Sequence, residues 1–202
     1  MTLLISMYPA RRPPTGLQSY RARGFTIIEL LITVAILVIL IGLAAPSLGN
    51  LVRDQRVKTA VGDVYAALAF ARSEAIKRNQ FVGVCSKNAA GTGCEGSTGW
   101  ARGWIVFLDA NGDGIPEVLD TNGDGIPDDI LKSQDALPDV AVSGTGGNVS
   151  YRGDGRLRAT VAPFVASVSG NNAITARCVR LDLSGRPNVK VDTNQDPGDG
   201  CN

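Results

Sequence analysis

One stretch constrains this chain more than any other: from Phe25 to Leu48 the only ionisable side chain is Glu29. A helix of about 20 residues spans the hydrocarbon core of a bilayer, so the run is expected to be a membrane helix. A secretory signal peptide has a shorter apolar region that ends at a small-residue cleavage site. Here the run passes instead into an amphipathic pattern, and it reads as a retained anchor. Arg11, Arg12, Arg21 and Arg23 precede it, and the first 24 residues hold no acid. The positive-inside bias then keeps the N-terminus in the cytoplasm and places everything after about residue 50 outside.

Glu29 is the anomaly in that run. A carboxylate costs roughly 2.5 kcal/mol or more at the centre of a membrane helix, less near its end, and such a group usually marks a function with a partner charge. The chain offers no cation after it before Arg53. The hexapeptide Gly24-Phe-Thr-Ile-Ile-Glu29, with arginines before it, resembles the processing site of class III signal peptides in type IV pilins and in the pseudopilins of type II secretion. The resemblance implies that a prepilin peptidase cuts after Gly24 and methylates Phe25. It also implies that Glu29, fifth in the mature chain, pairs with the N-terminal amine of a neighbouring subunit. Pro46 sits where family members carry a late proline, which removes a helical hydrogen bond and permits a kink. Met7 is a second candidate start, and either start leaves the cleavage site unchanged.

Composition narrows the chemistry. Without a leader of residues 1–24 the chain keeps sixteen Lys and Arg against nineteen acids, so it is mildly acidic. The charge is segregated: residues 109–140 hold nine acids and one lysine, and residues 149–191 hold seven Lys and Arg and two acids. One segment suits cations and the other anions. The chain has no histidine, the residue most used for proton transfer and zinc binding, so no enzymatic activity is expected. Four cysteines in an exported domain read as two disulfides with three possible connectivities. Sequence proximity favours Cys85 with Cys94 and Cys178 with Cys201, while a four-cysteine zinc site lacks paired CxxC spacing.

After Pro46, apolar residues recur at Val57, Val61, Val64, Leu68, Ala71 and Ala75, with Arg56, Lys58, Asp63 and Arg72 between them. Steps of four and three give an amphipathic helix, ending near Asn79. Beyond it FVGVC, GWIVFLD, NVSYR, RLRATVAPFVASV, AITARCVRLDL and NVKVD read as strands separated by turn residues. Residues 110–147 have loop composition. The expected fold is α+β: a long N-terminal helix, transmembrane then amphipathic, packed on a mainly antiparallel, β-sandwich-like globular domain. Residues 1–24 are then a leader, 25–52 the transmembrane and assembly helix, and 53–202 the globular domain with an acidic loop at 109–140. FARSEAIKRN, GWARGWIVFLDANGDG and a late Gly-Arg turn resemble the GspH/FimT/FimU branch of minor pilins and pseudopilins. That resemblance implies a minor pilin that enters or primes a type IV pilus together with other pilins. The alternative it implies is a GspH-like pseudopilin of type II secretion. No cofactor is required for either role.

DANGDGIPEVL and DTNGDGIPDDI, residues 109–119 and 120–130, repeat with an eleven-residue period. Alternating Asp, Asn and Asp followed by Gly wraps hard oxygen ligands around calcium, the glycine permitting the sharp turn. The candidate ligands are Asp109, Asn111, Asp113 and Glu117, then Asp120, Asn122, Asp124 and Asp128. The spacing resembles EF-hand and thrombospondin type 3 repeats, but neither loop has the closing Glu. Asn-Gly and Asp-Gly are equally the residues of tight hairpin turns, and that reading stays open here.

The basic segment offers Arg152, Arg156 and Arg158, then Arg186 and Lys190. In an extended segment Arg156 and Arg158 share one face and can straddle phosphates. GRLR, residues 155–158, matches the letters of the Gly-Arg-x-Arg motif through which FimT-like members of the branch are implicated in DNA binding. Gly185-Arg186 is the other candidate for that motif. Nearby aromatics are limited to Tyr151 and Phe164, so any DNA contact is expected to tolerate duplex DNA and to lack sequence preference. Charged strand edges are also an ordinary defence against strand pairing.

Overall fold

The structure is a computed structural model. It describes residues 24–202 except 101, 118, 119, 122, 124, 126, 137, 172, 195, 197–200 and 202, and except the side chains of 44–47. The leader arginines therefore fall outside the described residues, as does the side chain of Pro46. Two compact units divide the chain, residues 1–43 and 44–202.

Helix α1 runs Ile27–Arg78. Its start has a local cause: the Thr26 hydroxyl accepts from the Glu29 amide at 3.2 Å, and a Glu29 carboxylate oxygen lies 3.5 Å from the Thr26 amide. This Thr-x-x-Glu capping box satisfies two amides that have no intrahelical acceptor, and it sets a negative charge against the positive end of the helix dipole. In the first unit apolar side chains point outward on every side, from Ile27, 81% exposed, to Leu43, 74% exposed. A helix apolar all round needs cover from lipid or from other apolar helices. Ile27–Leu43 is too short to span alone, so no single helix among the described residues is long and apolar enough to cross a membrane; joined to Leu48–Arg78 it meets the length and composition required.

Within the second unit α1 turns one face to a core. Val57, Val61, Val64, Leu68, Ala71 and Ala75 are all buried there, at the positions that the four-three spacing selects. The helix stops after Arg78 because Asn79 adopts the left-handed conformation, φ 52°. Gln80 then donates to the Ala75 carbonyl and Asn79 to that of Ile76, a Schellman ending that satisfies two terminal carbonyls.

Eight strands follow: β1 Val82–Ser86, β2 Trp104–Leu108, β3 Ile130–Gln134, β4 Ala141–Ser143, β5 Asn148–Tyr151, β6 Phe164–Ser167, β7 Arg177–Leu181 and β8 Pro187–Val191. They form two four-stranded sheets in the orders β3-β2-β1-β5 and β4-β6-β7-β8, with every pairing antiparallel. One core joins the helix face to Val84, Val106, Val149 and Tyr151 of the first sheet and to Val142, Phe164 and Val179 of the second. The fold is α+β, a helix packed on antiparallel sheets. Trp100 meets Phe164 edge-on at 4.6 Å and gives its indole N–H to the Thr145 carbonyl. The tryptophans of GWARGW are thus core side chains.

Two strands come from the stretch read as loop, since β3 and β4 both lie within 110–147. β4 alternates exposed-buried-exposed but is only three residues long, and β3 is only partly buried. In RLRATVAPFVASV only Phe164–Ser167 is strand; Pro163 has no amide hydrogen to give a ladder. On β7 both neighbours of the alternation are buried, Val179 in the main core and Cys178 beside Cys201 in a separate cluster. Disulfides join Cys85 to Cys94 and Cys178 to Cys201, each closing a segment over the outer face of a strand. Leu68→Ala should cost about 2–5 kcal/mol through its cavity, whereas Tyr65→Ala, on the exposed side of the same turn, should stay within about 0.5 kcal/mol. Denaturant melts of the detergent-solubilised chain measure both.

Candidate functional site

Three places hold the residues singled out by sequence. At the N-terminal end Gly24 and Phe25 precede the helix in an exposed segment without regular structure, and Glu29 is exposed as well. A peptidase needs an extended, reachable bond, and the cap at Thr26 starts the helix only after that bond.

The second place is the acidic repeat. Asp109 leaves β2 fully buried; its Oδ1 accepts from the Gly114 amide at 3.1 Å, while its Oδ2 is buried without a partner. The Asn111 amide donates to Asp113 at 3.0 Å and to Glu117 at 2.6 Å. The Glu117 backbone amide in turn reaches Asp129 Oδ2 at 2.6 Å. Asp129, absent from the ligand set read from sequence, enters because its carbonyl accepts from Leu108 in the β2-β3 pairing. Burial first, then the nearby charges of Glu117 and Asp128, push its carboxyl above the ordinary range. In the second loop Asp120 accepts from the amides of Gly123 and Gly125, both at 2.7 Å. Asp128 takes the amide and hydroxyl of Thr121, which hold its carboxyl below the usual range. Asn122 and Asp124 lie outside the described residues. Among the described residues no three His, Cys, Asp or Glu side chains are gathered so as to hold a metal ion.

The third place is basic. The two candidate Gly-Arg turns are neighbours in space: a Cβ on Gly185 would come within 2.3 Å of the Gly155 carbonyl oxygen, and the Leu157 amide donates to the Leu183 carbonyl. Both glycines have positive φ, 77° in each case, a conformation that glycine adopts without strain. Arg72 of α1 donates to the Gly155 carbonyl at 2.9 Å. With Arg186, Tyr65 and Ile76 it lines an open cavity of about 470 Å³. Arg152, Arg156, Arg186 and Lys190 are exposed, and among the described residues none of the four forms an ion pair. The Ser184 hydroxyl, with a smaller contribution from the Arg186 charge, holds the Asp182 carboxyl below its usual range.

The two arginines of GRLR have different surroundings. Both are exposed, but Arg158 also donates to the Gly112 carbonyl in the acidic loop and lies over the Phe81 ring at 5.7 Å. Extended geometry alone misses this, because the chain is not a strand at 158. Tyr151 and Phe164, the aromatics nearest in sequence, are fully buried and cannot stack on bases. Sequence reading also missed Arg72, whose signal was its place on the polar side of an amphipathic helix, and Tyr65, which is 42% exposed.

A capped apolar N-terminal helix, continued as the spine of an antiparallel domain, defines a type IV pilin-like protein. The family model "Type II transport protein GspH" matches residues 60–185, and the "Prokaryotic N-terminal methylation motif" matches residues 19–45. The first match covers more than half of the chain, which belongs to the GspH family. Pilin-like protein PilA1 of Thermus thermophilus is 37% identical over 91 residues, 44% of this chain and 49% of that protein. The chain thus spans about half the length of this curated relative. Two crystal forms of the type IV minor pilin FimU from Pseudomonas aeruginosa align at 15% and 14% identity. They cover 72% and 73% of this chain and 99% and 96% of theirs, with TM-scores of 0.47 and 0.49.

The two arginines should separate in a stability measurement. Arg158→Ala removes a charged hydrogen bond and a ring contact and should cost about 1 kcal/mol, while Arg156→Ala should leave stability within about 0.5 kcal/mol.

Proposed function

We propose that this chain is a minor pilin, made as an inner-membrane precursor with its N-terminus in the cytoplasm. A prepilin peptidase cuts it after Gly24, and it then joins or primes a type IV pilus with other pilins. The observation that carries this reading is the first unit: an apolar helix exposed on all sides whose one charge, Glu29, is held at its first turn. In the membrane lipid covers that surface, and in a filament the helices of neighbouring subunits do. Among the described residues Glu29 forms no ion pair, and pairing with the new ammonium of a neighbouring Phe25 removes the cost of its burial. Gly24→Ala should block cleavage or slow it strongly. Glu29→Ala should leave cleavage intact and lower the amount of the subunit in sheared filaments. Normal incorporation of that variant would contradict the pairing.

The second unit gives the subunit something to present. Arg72, Arg156 and Arg186 surround the paired Gly-Arg turns, and sequence-independent DNA affinity comes from neutralising phosphates. In the proposed reading Arg156 and Arg186 reach successive phosphates, Arg72 supports their turn, and Arg158 braces the loop beside them. Duplex binding by the solubilised chain should fall steeply with salt. The Arg156→Ala/Arg186→Ala pair should lower the slope of log affinity against log salt by about 2, near 0.9 for each lost contact. A second reading, a type II secretion pseudopilin, is favoured by the GspH model match. Deletion that stops secretion of exoproteins while leaving piliation and DNA uptake intact supports that reading over the first.

A further inference from the structure

We infer that the cavity between α1 and the β7-β8 turn takes an unpaired nucleotide, so that the basic surface prefers single-stranded DNA to duplex. The inference rests on the DNA reading above and names the form of DNA that this surface takes. Its starting point is an apolar floor for which phosphate contacts have no use. Tyr65, Ala69, Arg72 and Ile76 follow one another at steps of four, three and four residues, so they form one stripe along α1. Tyr65 is 42% exposed and Ile76 49%. Across from them stand Arg186 and Pro187, and the space between is the open cavity of about 470 Å³.

The strand beside the cavity extends this floor. Val189 pairs with Val179, whose side chain is in the core that α1 shares. Residues directly opposite share a face of the sheet, and alternation puts Pro187 and Val191 on that face as well. Val189 and Val191 nevertheless remain 44% exposed at the edge of the sheet, while alternation turns Lys190 to the other face. Charge stands around the cavity. A Cβ on Gly155 would come within 2.6 Å of Ile76 and 3.4 Å of the Arg72 Nε, so the GRLR turn packs on residues that line it. Arg72 uses one of its five donors on the Gly155 carbonyl. On the β7-β8 turn the Asp182 carboxylate takes the Ser184 hydroxyl, and the Arg186 side chain is exposed.

Two guanidinium groups beside an exposed aromatic ring fit a nucleotide: its phosphate on Arg186 and Arg72, its base against Tyr65, Ile76 and Pro187. A duplex keeps its base faces stacked inside and offers this cavity only phosphates. A single strand offers a π-face, which every base has, so the contact tolerates any sequence. The cavity has the size of a small-molecule site, room for one splayed base and not for a double helix. Tyr151 and Phe164 are too buried to stack on a base, and Tyr65, on another element, supplies the ring.

Fluorescence anisotropy with the detergent-solubilised full chain tests this. The labelled probes are a single strand, the duplex of the same sequence, and a strand of equal length without bases, all at physiological ionic strength, where phosphate contacts are weakened. The single strand should bind about five- to a hundredfold tighter than the other two, the range expected of one stacked base. Tyr65→Ala should remove that advantage and leave duplex affinity unchanged, whereas Tyr65→Trp, which keeps a stacking ring, should retain it. Arg156→Ala/Arg186→Ala should weaken all three probes. Equal binding of the three by the unaltered chain overturns the inference and leaves the DNA reading standing, as does a Tyr65→Ala loss shared equally by single strand and duplex. A folded chain that binds none of the three overturns both.

Discussion

Everything in the second unit depends on one buried stripe of α1. Val57, Val61, Val64, Leu68, Ala71 and Ala75 lie against side chains of both sheets, so neither sheet has a complete core without the helix. Two of the six are alanines, and bulky Trp100, Tyr151 and Phe164 are buried in the same core. The same helix carries the opposite constraint before residue 44. There no side of it is covered, and cover has to come from another phase or another molecule. A single secondary-structure element thus states two requirements: a domain of its own at one end and company at the other.

The ending of that helix organises the basic surface. Asn79 turns the chain in the left-handed conformation, and the Arg152–Gly155 turn packs where a Cβ on Gly153 would come within 2.9 Å of the Asn79 backbone. Gly155 then receives Arg72 on its carbonyl and Gly185 against its face. Close approach of backbone to backbone is what the glycines supply. Two Gly-Arg dipeptides thirty residues apart become one cluster because sequence-distant turns share a seat on α1.

Local and periodic features were legible in the sequence. The four-three spacing of α1 identified its buried face, and the alternation in TARCVRLDL identified a strand, because periodicity records which side of an element meets apolar neighbours. The Thr26–Glu29 cap was also written there as Thr-x-x-Glu, although the glutamate drew attention only as a charge. What stayed hidden depends on contacts between distant segments. The strand β3 has few apolar residues of its own and exists by pairing with β2. Asp129 joins the acidic loop through that same register, and Arg158, still exposed, is tied to a carbonyl 46 residues away. The neighbouring Gly-Arg turns looked like two alternatives in one dimension and are one surface in three.

Intact-mass and N-terminal fragment measurement of the chain isolated from membranes or filaments tests the central claim most directly. A chain beginning at Phe25 with one methyl group on its amine is the predicted result. A chain that keeps its arginine-bearing leader, or is cut at another bond, would contradict the reading of Gly24 to Glu29 on which the rest of the account stands.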